Sequence, residues 1–247
     1  MGMGDELLAT GEAKLAQSRD PRPVVILDRH GNPRSHALFD YNPRIAYQRT
    51  AANQEIVNGS SARPYIAGKT AYKWSWKPYR PEPGELYFTE AENLLGQQYE
   101  GYLILEPNVK ERDGRNKDWS WLRWLALLPL LKGLPLAQVG PPGTSILPGV
   151  THLVTHSFRA ACAIMSHARG FIGTEGGLHH GAAALGLPAV VIFGGFISPD
   201  VTGYAEHRNL FTGAGLGCGA RLPCQHCREA MQKITPEIVA QNIREII

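Results

Sequence analysis

Residues 172–195 read IGTEGGLHHGAAALGLPAVVIFGG and set one acid, a glycine pair and two adjacent histidines between apolar runs. The apolar run ends at Thr174, and a small-residue helix is expected from about Gly177 or Leu178. Free amide groups at a helix start suit an anion such as a phosphate. Glu175, just before it, can accept hydrogen bonds from sugar hydroxyls, and Gly176 and Gly177 would let a ligand approach the backbone closely. A tight strand-to-helix turn uses the same glycines for geometry alone. His179 and His180 on a helix point about 100° apart, so at most one of them faces a ligand. The other reading for either is a packed, hydrogen-bonded core histidine.

Further groups invite chemistry. Lys117 follows the polar loop KERDGRN, where a lysine can neutralise a diphosphate as a point charge or simply be solvated. Arg112 and Arg115 share that loop. Cys218, Cys224 and Cys227 stand as C-x5-C-x2-C near His226 and His207, which suggests zinc. With three thiols there and Cys162 in a separate helix, a reduced cluster or a disulfide is expected ahead of a metal. Residues 63–80, RPYIAGKTAYKWSWKPYR, carry five basic groups, five aromatics and no acid. Aromatic faces stack on sugar rings or nucleobases and lysines draw anions, so this is the expected acceptor surface. The alternative is a sheet edge guarded by exposed lysines.

These groups need a scaffold, and the chain can supply one. Its 247 residues, 43% hydrophobic and 19% charged, exclude disordered and fibrous classes. A net charge of +3 is too small to imply a polyanion partner. The amino terminus has no apolar signal core, and Glu6 argues against myristoylation. The greasiest stretch, WLRWLALLPLL, is about half of a bilayer span and holds Arg123. Four cysteines without a secretory signal point to reduced thiols, hence a cytoplasmic protein.

Apolar runs alternate with helical patterns: PVVILDRHG, YLILEPN, PLAQVGPPG, GFIGT and PAVVIFGG as strands, WSWLRWLALLPLLKG, SFRAACAIMSHA and LHHGAAALG as helices. That alternation predicts βαβ units and a parallel sheet from about residue 98 onward. The closing helix starts with Thr235 as N-cap and Pro236 in the first turn. Residues 53–83 show no period. A boundary near residue 97 is expected, giving lobes of residues 1–97 and 98–247.

The run 174–195 resembles glycosyltransferase family 9, the heptosyltransferase-like enzymes of the two-lobed GT-B fold. Their Asp-Thr-Gly-x-x-His turn is matched by Glu175, Gly176, Gly177 and His180, followed by Ala182 to Ala184, Pro188 and VVIFGG. Glu for Asp keeps the charge but reaches further, which leaves the donor sugar, heptose or another, open. GMGDELLATGEAKLAQ resembles the family's Gly-x-Gly-Asp-x-Leu-x-x-Thr turn, with Asp5 in the acidic slot and Glu6 and Glu12 nearby. NKDWSWLRWLALL is similar to its Lys-x-Trp segment through Lys117 and Trp119, and CREAMQKITPEIV to its Cys-Met ending. Members begin with a buried strand ahead of the Gly-x-Gly-Asp turn, so the resemblance implies a short amino lobe here.

The resemblance implies an α/β, GT-B-like fold of two Rossmann-like lobes with parallel sheets. It implies a sugar transferred from a nucleotide diphosphate to a hydroxyl acceptor, with inversion and without metal or other cofactor. Donor contacts would come from Lys117, Thr174, Glu175, Gly176, Gly177, His180, Gly194 and Gly195, and acceptor contacts from Lys73, Trp74 and Trp76. Asp5 would be the general base, on a loop at a helix start. The acceptor would be a glycan, a lipopolysaccharide-type sugar drawing the protein peripherally to a membrane, or a modified nucleic acid. The oligomeric state is left open. The alternatives are a nucleotide-sugar epimerase on the same fold and a non-catalytic sugar-nucleotide or nucleic-acid binding module.

Overall fold

The structure, a computed structural model, describes residues 2–58, 63–110 and 114–247, so Arg112 lies outside the described residues. The amino-terminal part comprises α1 (Met3–Gln17), β1 (Val24–Leu27), β2 (Ile45–Ala46), β3 (Gln54–Val57), the hairpin β4 (Ile66–Lys69) and β5 (Trp74–Trp76), and α2 (Glu90–Gln97). There follow β6 (Leu103–Glu106), α3 (Trp121–Leu127), β7 (Leu136–Gly140), β8 (Thr151–Val154) and α4 (Phe158–Met165). The chain closes with β9 (Gly170–Thr174), α5 (Gly177–Ala184), β10 (Ala189–Gly194), α6 (Pro199–Thr202), β11 (Arg208–Phe211), α7 (Gln225–Lys233) and α8 (Pro236–Arg244).

Two sheets carry the molecule. A small parallel sheet has the order β2-β1-β3, and a six-stranded parallel sheet has the order β11-β10-β9-β6-β7-β8. In the larger sheet the chain winds outward from β6 in one direction and from β9 in the other. The two halves part between these neighbours, and ligands of open α/β sheets bind in the crevice at that switch point, beyond the strands' carboxyl ends. Both β9 and β10 are buried along their full length, as strands covered on both faces must be. Their side chains alternate: Phe171, Val191 and Phe193 join one core, Ile172, Val190 and Ile192 the other.

Helix α1 lies between the two sheets' territories. Leu7, Ala9 and Ala13 pack with Val24 and Ile26 of β1, while its start abuts α5. The approach to α5 is close enough to demand glycine: a Cβ on Gly4 would fall 2.4 Å from Cδ2 of His180. Side-chain caps start several of the other helices, that of α8 as expected. Ser157 caps α4 and Thr235 caps α8 with Pro236 in its first turn.

Several elements depart from expectation. The helix foreseen through residues 119–133 is α3 followed by a tighter turn at 128–131 containing Pro129, and Trp119 stays outside it, buried and donating to the carbonyl of Ile234 at 2.8 Å. Strands β8 and β11, which no apolar run announced, form the two edges of the large sheet. Residues 53–83 hold β3 and an antiparallel hairpin, whose Trp74 and Trp76 pack on the core around Phe196.

Replacing Gly4 by Ala should lower stability by about 1–3 kcal/mol, since the His180 ring, held by its own partners, must give way. Gly176→Ala is the control, because the nearest atom to its added Cβ is 3.8 Å away. Thermal denaturation should show a clear loss for the first variant and none for the second.

Candidate functional site

A cavity of about 540 Å³ opens at the switch point. Its floor is the end of β6 (Glu106, Asn108) and the turn from β9 into α5 (Thr174 to Leu178), with Lys117 and Phe196 beside it. Across from these stand Gly2, Gly4 and Asp5 of the α1 start, and Arg63, Tyr65, Trp74 and Trp76 complete the wall. A smaller hollow of about 320 Å³, between Lys132, Arg169 and Arg244, holds none of these groups.

Glu175 is the electrostatic centre. It is 6% exposed, ion-paired with the ammonium of Lys117, and has His180 Nε2 at 3.8 Å. Burial alone would raise its pKa, but the Lys117 charge, with His180 beside it, holds the carboxyl well below the usual range. His180 shares a 2.8 Å hydrogen bond between Nδ1 and the Tyr204 hydroxyl, which fixes its ring toward Glu175. The Lys117 ammonium also lies 5.3 Å from the centre of the Phe196 ring. His179 points away, into a buried group with Phe193, Tyr204 and His207. Desolvation keeps both His179 and His207 in the neutral form, the latter with its pKa lowered to about 4.

Asp5 does not sit on a loop ahead of its helix. The helix begins at Met3, because Gly2 is extended and serves as N-cap, and Asp5 is its third residue. One carboxylate oxygen accepts from the Gly2 amide and pairs with Arg63, both at 3.1 Å, and the other accepts from the Tyr65 hydroxyl at 2.6 Å. Glu6 and Glu12 face elsewhere: Glu6 pairs with Arg34 at 2.7 Å and Glu12 accepts from Tyr79 at 2.9 Å.

The structure therefore brings Asp5, Lys117, Thr174, Glu175, Gly176, Gly177, His180, Trp74 and Trp76 to one cavity. It does not bring Lys73, Gly194 or Gly195 there: Lys73 bridges Ala220, and the two glycines pack under Met231 and His226. Asp200 pairs with Arg80 at the surface. Sequence reasoning included Arg63 and Tyr65 in the expected acceptor segment without singling them out, and passed over Glu106. The first two lay in a segment without period. Glu106 carried a signal, an acid closing the apolar run of a central strand.

Glu106 is pushed up to about 8 by desolvation, against one opposing hydrogen bond from the Asn108 amide. Its folded form thus holds a proton that the unfolded chain releases near 4.5. The sign follows by linkage: between those values the native state binds more protons, so stability falls as pH rises. Glu106→Gln should flatten that part of the profile. Melting curves of the two proteins should coincide near the lower value and diverge above it, the variant melting higher at alkaline pH.

Comparison with solved structures gives likenesses of fold. Family 9 glycosyltransferase of Veillonella parvula superposes with a TM-score of 0.62 at 11% identity, covering 100% of this chain and 94% of that one. TibC of enterotoxigenic E. coli, an iron-containing dodecameric glycosyltransferase, gives 0.61 at 18% identity over 100% of this chain and 74% of that one. ADP-heptose lipopolysaccharide heptosyltransferase II of E. coli gives 0.51 at 18% identity, with 66% of this chain covered and only 53% of that enzyme's length spanned. No family model and no curated protein matches the sequence. With its parallel sheets and its switch-point cavity, the chain has the GT-B-like α/β fold of the family 9 glycosyltransferases.

Proposed function

We propose that this chain is a glycosyltransferase that moves a sugar from a nucleotide diphosphate to a hydroxyl acceptor, inverting the anomeric carbon. The observation that carries this reading is the Lys117–Glu175 pair with His180, at the glycine-rich start of α5, facing Asp5 across one cavity. The likeness of fold to heptosyltransferases supports it.

In this reading the donor diphosphate lies against the α5 start and Lys117, whose charge offsets that developing on the leaving group. Glu175 accepts hydrogen bonds from the sugar hydroxyls. The acceptor hydroxyl enters from the α1 side, with Trp74 and Trp76 stacking on its ring. It attacks the anomeric carbon as the diphosphate leaves from the opposite face, and its proton passes to Asp5. Arg63 and Tyr65 hold the Asp5 carboxylate in place for that transfer. The nucleotide sugar is a substrate and the transfer needs no further cofactor. A glycan acceptor suits the paired tryptophans, which stack at 6.0 Å and 12°. Among the described residues no helix is long and apolar enough to cross a membrane, and we place the reaction in the cytoplasm, where nucleotide sugars are made.

Isotope-labelled nucleotide sugar tests the proposal directly. Label should move to product only when an acceptor is present. Epimerised sugar without acceptor would replace the transferase by an epimerase, and binding with neither product would leave a binding module.

Asp5→Asn should lower kcat about 100-fold or more. Donor affinity should be unchanged, although losing the charge that Arg63 meets should also cost stability, by roughly 1–3 kcal/mol. A fully active variant would move the base elsewhere. Glu175→Gln should weaken the intact nucleotide sugar by about 1.5–3 kcal/mol and the free nucleotide diphosphate by less, because Lys117 is then released from its carboxylate. Titration calorimetry with both ligands separates the two effects.

A further inference from the structure

Beside the cavity but outside its lining, three thiols and an imidazole converge. The ligand atoms of Cys218, Cys224, His226 and Cys227 all lie within 4.8 Å of one another. Cys218 Sγ is 3.7 Å from that of Cys224 and 3.0 Å from that of Cys227, and all three thiols are free. Sulfurs bonded to each other sit at about 2.05 Å. Four ligands around a zinc ion, with Zn–S near 2.3 Å, stand about 3.8 Å apart along the edges of a tetrahedron.

The surrounding backbone is arranged for thiolates. The amide of Cys227 donates to Cys224 Sγ and that of Ala220 to Cys218 Sγ, each at 3.4 Å. Cys224 caps α7, which brings Cys227 onto the same side one turn later, and its own amide donates to Asn116 Oδ1 at 3.0 Å. The His226 ring closes the group over Gly195, where a Cβ would fall 2.8 Å from its Cε1. In the other such gathering among the described residues, Glu175 is engaged by Lys117 and His180 by Tyr204, and only His179 lacks a hydrogen-bond partner.

We propose that Cys218, Cys224, His226 and Cys227 bind a tetrahedral, thiolate-preferring divalent metal, zinc or ferrous iron, as a structural clamp. Three soft sulfurs and one imidazole select these ions over oxygen-seeking magnesium or calcium. Binding releases three thiol protons to solvent and leaves neutral His226 as the fourth ligand, a site of net charge −1. With four protein ligands the coordination sphere is closed, so the ion orders the chain and takes no part in the transfer. What it orders is specific. The loop ahead of α7 turns through Gly215, Gly217 and Gly219, all at positive φ. That loop receives the Trp74 amide at Gly219 and donates from Arg221 to Tyr72. Asn116, next to Lys117, donates to the Ala220 and Leu222 carbonyls at 2.7 and 2.8 Å. The clamp therefore fixes both the tryptophan hairpin and the Lys117 turn.

Elemental analysis of the full chain, purified under reducing conditions without chelator, should find about one zinc or iron per chain, and the element present names the ion. Chelation should lower the melting temperature and expose the thiols to a thiol reagent, and returning zinc or ferrous iron should reverse both. Cobalt added to the stripped wild-type chain should give the visible bands of a tetrahedral thiolate complex, a reading that needs no variant to fold. Cys224→Ser and His226→Ala, at the more exposed ligands, should bind metal more weakly. A chain that takes up none of the three ions, or a Cys218→Ser/Cys224→Ser variant that keeps its metal undiminished, would overturn the site.

Discussion

A carboxylate removed from water must be met by a cation and by hydrogen-bond donors, and Glu175 imposes that demand on everything around it. Its position is set by β9, which must run into the middle of the large sheet and stop at Thr174. Lys117 must therefore reach inward from the turn after β6, and the neighbouring Asn116 is anchored in turn by the loop before α7. His180 has to lie against the same carboxylate, which fixes its ring through Tyr204 and brings it against Gly4 of α1. One buried charge thus ties together the switch point, the first helix and the irregular loop near the carboxyl end.

How much of this was legible in the sequence depended on where each element lies. Strands β6, β9 and β10 are covered on both faces, so each appeared as an unbroken apolar run. Strands β8 and β11 stand at the sheet edges, where THLV and RNLF keep polar residues toward solvent and look like loop. Helix α8 announced itself through Thr235 and Pro236, a local signal. The bond between Tyr65 and Asp5 joins residues 60 positions apart, and no local pattern carries such a pairing.

The same distinction runs through the site. Glu175, Gly176, Gly177 and His180 are consecutive or nearly so, and one turn delivers them together. Asp5 was expected on the loop just ahead of its helix and lies three residues further along, inside the first turn, because nothing in the composition says that extended Gly2 is the cap. The hairpin had no periodicity because its partners are distant: Trp76 donates to the Phe196 carbonyl and Trp74 to that of Gly219. Gly194 and Gly195 close the expected strand, yet their close contacts are with α7 rather than with the cavity.

The position of α1 has a consequence for biosynthesis. Residues 3–17 leave the ribosome well before α5, the helix their glycines fit against, which spans residues 177–184. The tryptophan hairpin likewise waits for residues 196 and 219. Loops of this length must close before their contacts stabilise anything, which slows folding. The nascent chain therefore carries α1 uncovered on one side until residues 177–184 have emerged, and such transiently exposed apolar surface is prone to association.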